Sequence, residues 1–127
     1  MKVIFIAGPY RAGTEWGVHC NIQEAEKIAM EVWKLGACAL CPHKNTAYFG
    51  GALPDETWLN GALELLSRSD AVFVVSKWRT SEGTKVEMDR AQELGKPVFF
   101  GMQTLENWLK RPADDLPTGE YRREKTP

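Results

Sequence analysis

The sequence predicts an α/β domain of three layers, with a parallel sheet of about four strands between helices. Three observations carry this. Short uninterrupted apolar runs, such as VIFIA at 3–7 and AVFVV at 71–75, read as strands buried on both faces. Longer segments between them repeat apolar residues at helical spacing. The two kinds of segment alternate along the chain. The expected strand order is 2-1-3-4, a flavodoxin- or Rossmann-like sheet, which places ligands outside the carboxyl ends of strands 1 and 3.

The first strand, 3–7, ends at Gly8-Pro9, and Gly8 to Gly13 reads as a loop. A first helix is expected over 15–35, with Val18, Ile22, Ala25, Ala29, Val32 and Trp33 on its apolar side and Gly36 closing it. Residues 37–40 form a short second strand. Residues 42–54 then read as one long loop, punctuated by Gly50, Gly51 and Pro54, and a loop of that length in a small domain points to function. Asp55 is a candidate cap for a second helix along the Trp58, Leu59, Ala62, Leu63, Leu66 stripe. The third strand, 71–75, leads through a loop to a helix over 84–94. A fourth strand at 97–100 and a helix over 104–110 complete the domain, 1–110. Residues 111–127 are charged, contain Pro112, Pro117 and Pro127, and read as a tail that is loose or docks on a partner subunit.

Composition narrows the function. The 127 residues carry 16 basic and 17 acidic side chains, a formal charge of −1, so the chain lacks the electrostatic footprint of a nucleic-acid or anionic-membrane binder. No apolar run approaches the roughly 20 residues of a membrane helix, and the start runs into Gly-Pro too early for a signal peptide. Three irregularly spaced cysteines, Cys20, Cys38 and Cys41, favour a reducing cytoplasm over a disulfide scaffold. Cys38 and Cys41 with His43 raise the question of zinc. A second ligand pair is missing, and buried strand and helix positions account for the cysteines, so neither metal nor cofactor is expected.

The most informative segment is 78–87, WRTSEGTKVE. A buried strand feeds a loop and then a helix start, where free N–H groups attract anions. Ser81 and Thr84 add hydroxyls, and Gly83 allows close approach. Glu87 falls about one turn inside the helix, where the positive helix end is expected to keep it ionised, as a nucleophile requires. A solvated glutamate on a capped helix is the competing reading. At the end of the first strand, Tyr10 offers a flat ring and a hydroxyl, and Arg11 a fork for phosphate. His43, at the mouth of the second strand, is a donor for phosphate or sugar, or else stabilises its loop. Neither a dinucleotide fingerprint nor a Walker loop is present.

These residues together resemble a known family. Ile6-Ala7-Gly8-Pro9-Tyr10-Arg11, Trp16-Gly17-Val18, Asn21-Ile22, Cys41-Pro42-His43-Lys44-Asn45-Thr46, Ser69-Asp70-Ala71-Val72 and Ser81-x-Gly83-Thr84-x-x-Glu87 look like the DUF4406 group, common in phages and bacteria. That group is related to nucleoside 2-deoxyribosyltransferases and 2′-deoxynucleoside 5′-phosphate N-hydrolases. The resemblance covers about residues 1–100 and implies a nucleotide-binding catalytic domain that cleaves an N-glycosidic bond. In such enzymes a glutamate at the Glu87 position attacks C1′ and forms a covalent glycosyl ester. Ser81 matches the hydrolase branch, where the transferases carry Asp. Gly8, Pro9, Tyr10, Arg11, His43, Asn45, Trp78, Ser81, Gly83 and Thr84 would hold the substrate.

One departure matters. Counting back from Asp70, the position of the second catalytic Asp of this group holds Ala62. Ala62 leaves the chain a weakened enzyme or a binder. The resemblance thus implies hydrolysis of a (deoxy)nucleoside 5′-monophosphate. Deoxyribosyl transfer between bases, nicotinamide-nucleotide cleavage and catalytically silent nucleotide binding stay open beside it. The partner is a small nucleotide, and a homodimer or larger homo-oligomer is expected.

Overall fold

The computed structural model describes residues 1–111. Ten elements follow one another: β1 (Val3–Ala7), α1 (Glu15–Lys34), β2 (Cys38–Leu40), α2 (Pro42–Asn45), α3 (Asp55–Ser67), β3 (Ala71–Val74), a 3-10 turn (Trp78–Thr80), α4 (Glu82–Glu93), β4 (Val98–Phe99) and α5 (Met102–Leu109). All strand pairs are parallel, in the order β2-β1-β3-β4. This is the predicted topology. Apart from Arg111, the expected tail at 111–127 lies outside the described residues.

Two apolar clusters sandwich the sheet because alternate strand residues point to opposite faces. Ile4, Ile6, Phe73 and Phe99 face α1 and α5, meeting Ala25, Val32 and Leu105. Phe5, Ala7, Val72, Val74 and Val98 face α3 and α4, meeting Leu66, Met88 and Ala91. The crossover of β1 to β3 is close. A Cβ on Gly8 would lie 2.2 Å from Val75 Cγ2, so only glycine lets the end of β1 pass β3. Gly8→Ala is expected to destabilise the fold by about 1–3 kcal/mol, read by denaturant melts, with loss of order in the loop behind it.

The helices depart from expectation in four places: α5 starts at Met102 rather than Thr104, and the other three have a local reason. α4 starts at Glu82 rather than Thr84, because the Ser81 side chain caps it by accepting the Thr84 N–H at 3.1 Å. Pro54, not Asp55, is the N-cap residue of α3, which leaves Asp55 in the first turn. The loop at 42–54 opens with α2, four residues started by Pro42 at its N-terminus. α1 runs as predicted, capped by Thr14, which accepts from the Gly17 N–H at 3.0 Å. It ends at Lys34 with Leu35 as C-cap, and Gly36 follows with a φ of +87° that suits glycine.

Candidate active site

The carboxyl ends of β1 and β3 lie side by side, and the segments that follow them build the site. The loop after β1 is held from behind. Asn21 on α1 donates from Nδ2 to the Tyr10 and Arg11 carbonyls at 3.1 and 3.2 Å. His43 donates from Nε2 to the Pro9 carbonyl at 2.9 Å. His43 is buried, and desolvation holds its pKa below the usual histidine value, so it is a neutral brace for Pro9. Its Nδ1 is buried without a partner.

The loop between α2 and α3 leans on the same structure. The Tyr10 hydroxyl accepts the Tyr48 N–H at 2.6 Å, and the Tyr48 hydroxyl meets His19 Nδ1 at 3.0 Å. Tyr48 holds a left-handed φ of 64°, a conformation a tyrosine keeps only when its surroundings fix it. Arg11 pairs with Asp55 at 2.6 Å. The Phe49 ring lies 5.9 Å from that of Trp58 on α3, tilted by 59°, and the Trp58 indole nitrogen is buried with no partner.

After β3, Trp78 packs near Phe100 at 5.8 Å, and the Arg79 guanidinium sits 4.8 Å above its ring. The α4 N-terminus departs from expectation in detail. The Thr84 N–H and hydroxyl both bond Ser81 Oγ, at 3.1 and 2.8 Å, so the Thr84 amide is not open to an anion. The open amides are those of Glu82 and Gly83, and the Ser81 hydroxyl keeps its own hydrogen. A Cβ on Gly83 would meet nothing within 4 Å, so the approach to this amide is clear.

Glu87 lies five residues into α4, about 7.5 Å along the axis. It is 8% exposed and has no hydrogen-bond partner among the described residues. Burial pushes its carboxyl up to about 8. The expectation of an ionised Glu87 is therefore corrected: helix-end stabilisation fades within the first turn, and desolvation outweighs it. Without a ligand the side chain is mostly a neutral acid at pH 7. Ala62, on α3, is partly buried against the cluster that holds Ala7, Val74 and Met88, the residue after Glu87.

Gly8, Pro9, Tyr10 and Arg11 thus follow β1, braced by His43, and Trp78, Ser81, Gly83, Thr84 and Glu87 follow the neighbouring strand β3. Asn45 stands apart: it is exposed and lines a groove of about 540 Å3 between α1 and β2, with Met30, Trp33 and Leu40. A second groove, about 580 Å3, runs between α3 and α4 along Asn60, Ser67 and Asp89. Glu87 lines neither. Asn21, Asp55 and Trp58 were not among the predicted site residues. In the sequence Asn21 stood out only as part of the Asn21-Ile22 motif. Among the described residues, no three His, Cys, Asp or Glu side chains form a metal-binding group, and no helix is long and apolar enough to cross a membrane.

The parallel sheet in the order β2-β1-β3-β4, flanked by helices, is a Rossmann-like α/β fold, and solved structures that include a 2-deoxyribosyltransferase share it. The 2-deoxyribosyltransferase of the psychrotolerant bacterium Bacillus psychrosaccharolyticus, described as a biocatalyst for nucleoside synthesis, superposes with a TM-score of 0.61 at 18% identity, covering 94% of this chain and 99% of its own. BlsM, known from a solution structure, superposes with a TM-score of 0.58 at 18% identity, over 85% of this chain and 71% of its own. No curated protein matches the sequence. The chain belongs to the DUF7768 family, a domain of unknown function whose model matches residues 2–101. The family is thus DUF7768 and not DUF4406, whereas the wider likeness to the deoxyribosyltransferase fold holds.

Proposed function

We propose that this protein cleaves the N-glycosidic bond of a (deoxy)nucleoside 5′-monophosphate, with Glu87 as the nucleophile. The observation that carries the reading is Glu87 itself: a buried carboxyl on the helix that follows β3, without a partner among the described residues. Burying such a group costs stability, which a structural role would offset with a partner. A nucleophile must instead stay free for C1′.

The carboxylate attacks C1′ and the base departs. Water then opens the ester and releases the sugar 5′-phosphate. The phosphate sits at the α4 N-terminus, on the Glu82 and Gly83 amides and the Ser81 hydroxyl. Arg11 reaches it by leaving Asp55. That exchange is cheap because the pair is exposed, with 70% and 60% of the two side chains accessible.

Ser81→Ala is expected to weaken a nucleoside 5′-monophosphate roughly 10-fold or more while changing affinity for the nucleoside little. It also removes the cap, at about 0.5–2 kcal/mol of stability. Calorimetric titration with both ligands checks this, and equal weakening points away from phosphate recognition. Base release from a panel of nucleotides, followed by chromatography, tests the activity.

A second reading has its own support. The likeness to a 2-deoxyribosyltransferase favours transfer of the sugar to another base in place of water. Adding a second free base to the assay separates the two, since a transferase forms a new nucleoside. The Ser81 hydroxyl, which suits a phosphate better than a carboxylate would, favours hydrolysis of a nucleotide. We further propose a small-molecule partner, a cytoplasmic setting and a homo-oligomer.

A further inference from the structure

We infer that the open edge of the sheet at β2 docks a second copy of this chain. Two β2 strands pair antiparallel about a two-fold axis at Ala39 and join the two sheets. Glu87 does not line this edge, so the pairing stands or falls independently of the N-glycosidase reading.

The sheet has two edges, and they differ. Both residues of β4, Val98 and Phe99, are buried. All three residues of β2 are only half-buried. The Cys38 N–H donates to the Lys2 carbonyl at 2.8 Å, toward β1, and Ala39 stands opposite Ile4. Backbone groups of successive strand residues point to opposite sides, so the Ala39 N–H and C=O face away from β1. An open edge of this kind is a template for another extended backbone.

The edge is also lined with apolar side chains. The groove of about 540 Å3 follows it, with Met30 and Trp33 of α1 on one wall, Leu65 of α3 on the other, and Ala39 and Leu40 between them. The core uses Ala25, Ala29 and Val32 of α1. Met30 and Trp33 extend that stripe outward and stay 56% and 50% exposed. A helix whose apolar side is wider than its own core needs has surface left for an interface.

A second copy fits this groove in both backbone and charge. About a two-fold axis at Ala39, the two Ala39 residues stand opposite each other and exchange N–H···O bonds. The axis reverses the order of residues along the groove. Met30 then faces Met30 of the second copy, and Trp33 meets the far end of the other groove, where Lys44 pairs with Glu26. The Lys44 ammonium gains an aromatic face there. With one cation and one anion in each groove, identical copies do not repel. Residues 112–127 are a poorer occupant, because they carry seven charged residues and three prolines, which disfavour strand pairing.

Sedimentation equilibrium of the full chain tests the pairing. A patch of this size lies toward the small end of stable interfaces, so a dimer with a Kd of roughly 1–100 μM is expected. Met30→Glu sets two like charges at the axis and should raise Kd by about 100-fold or more. Ala39→Pro removes the outward N–H and keeps the bonds to β1, and should raise Kd by about tenfold or more. Val86→Glu, on the groove between α3 and α4, should leave Kd unchanged. Circular dichroism melts check folding, and if Ala39→Pro does not fold, Met30→Glu on its exposed position decides. A chain that stays monomeric up to about 500 μM overturns the inference. So does a dimer that Met30→Glu leaves intact. A dimer that Met30→Glu splits but a folded Ala39→Pro does not overturns the strand pairing, since the contact is then made by the α1 faces alone.

Discussion

Glu87→Gln is expected to abolish base release, by at least roughly 10⁴-fold in kcat, while nucleotide affinity changes by less than about threefold. Glutamine keeps the shape of the side chain and removes the nucleophilic oxygen anion. Turnover near the wild-type rate would remove Glu87 from the mechanism.

The same substitution has a signature in stability. The Glu87 carboxyl titrates near 8 in the fold and near 4.5 once unfolded. Between those values the native state holds a proton that the unfolded chain has released. Wild-type stability should therefore be full below about pH 4.5, fall by about 1.4 kcal/mol per unit as pH rises, and level off above about pH 8. Glu87→Gln cannot ionise, so this slope should vanish and the variant should be the more stable protein at pH 9. Urea melts across pH, compared between the two, isolate the effect. In the wild type, kcat/KM should rise about tenfold per pH unit below 8, as the fraction of ionised Glu87 in the free enzyme grows.

Much of this was legible in the residues, and the parts that were not have physical causes. The runs at 3–7 and 71–75 could only be buried strands, and with alternating helices they fixed the sheet order. The helix start at Ser81 was misplaced by two residues because capping depends on which way one hydroxyl turns. α2 was missed because four residues carry no periodicity. The ionisation of Glu87 was misjudged for a deeper reason. A helix-end argument uses only local sequence, whereas desolvation depends on what the rest of the fold packs over the carboxyl. The Arg11–Asp55 pair, likewise, joins segments that only the fold makes neighbours.

Ala62→Asp is the variant expected to gain the most. Ala62 and Trp58 are one helical turn apart on the inward face of α3, and a helical side chain leans toward the turn before it. An aspartate at 62 would therefore lean toward the Trp58 indole N–H, which is buried and unpartnered. That hydrogen bond offsets about 1–3 kcal/mol of the cost of burying the new carboxyl. Desolvation raises the pKa of this aspartate, which leaves it able to donate a proton near neutral pH. Release of neutral bases should rise by about 10²–10⁴-fold. The melting temperature decides between two accounts of a silent result. If the variant melts within a few degrees of wild type and stays inert toward neutral bases, position 62 does not serve the reaction. If it is destabilised by several kcal/mol, the new carboxyl has found no partner and Trp58 points elsewhere. Ala62→Asn then separates charge from space: it fits the same volume and can accept from the indole, but it carries no titrating proton. It should match the stability of Ala62→Asp without its gain in rate.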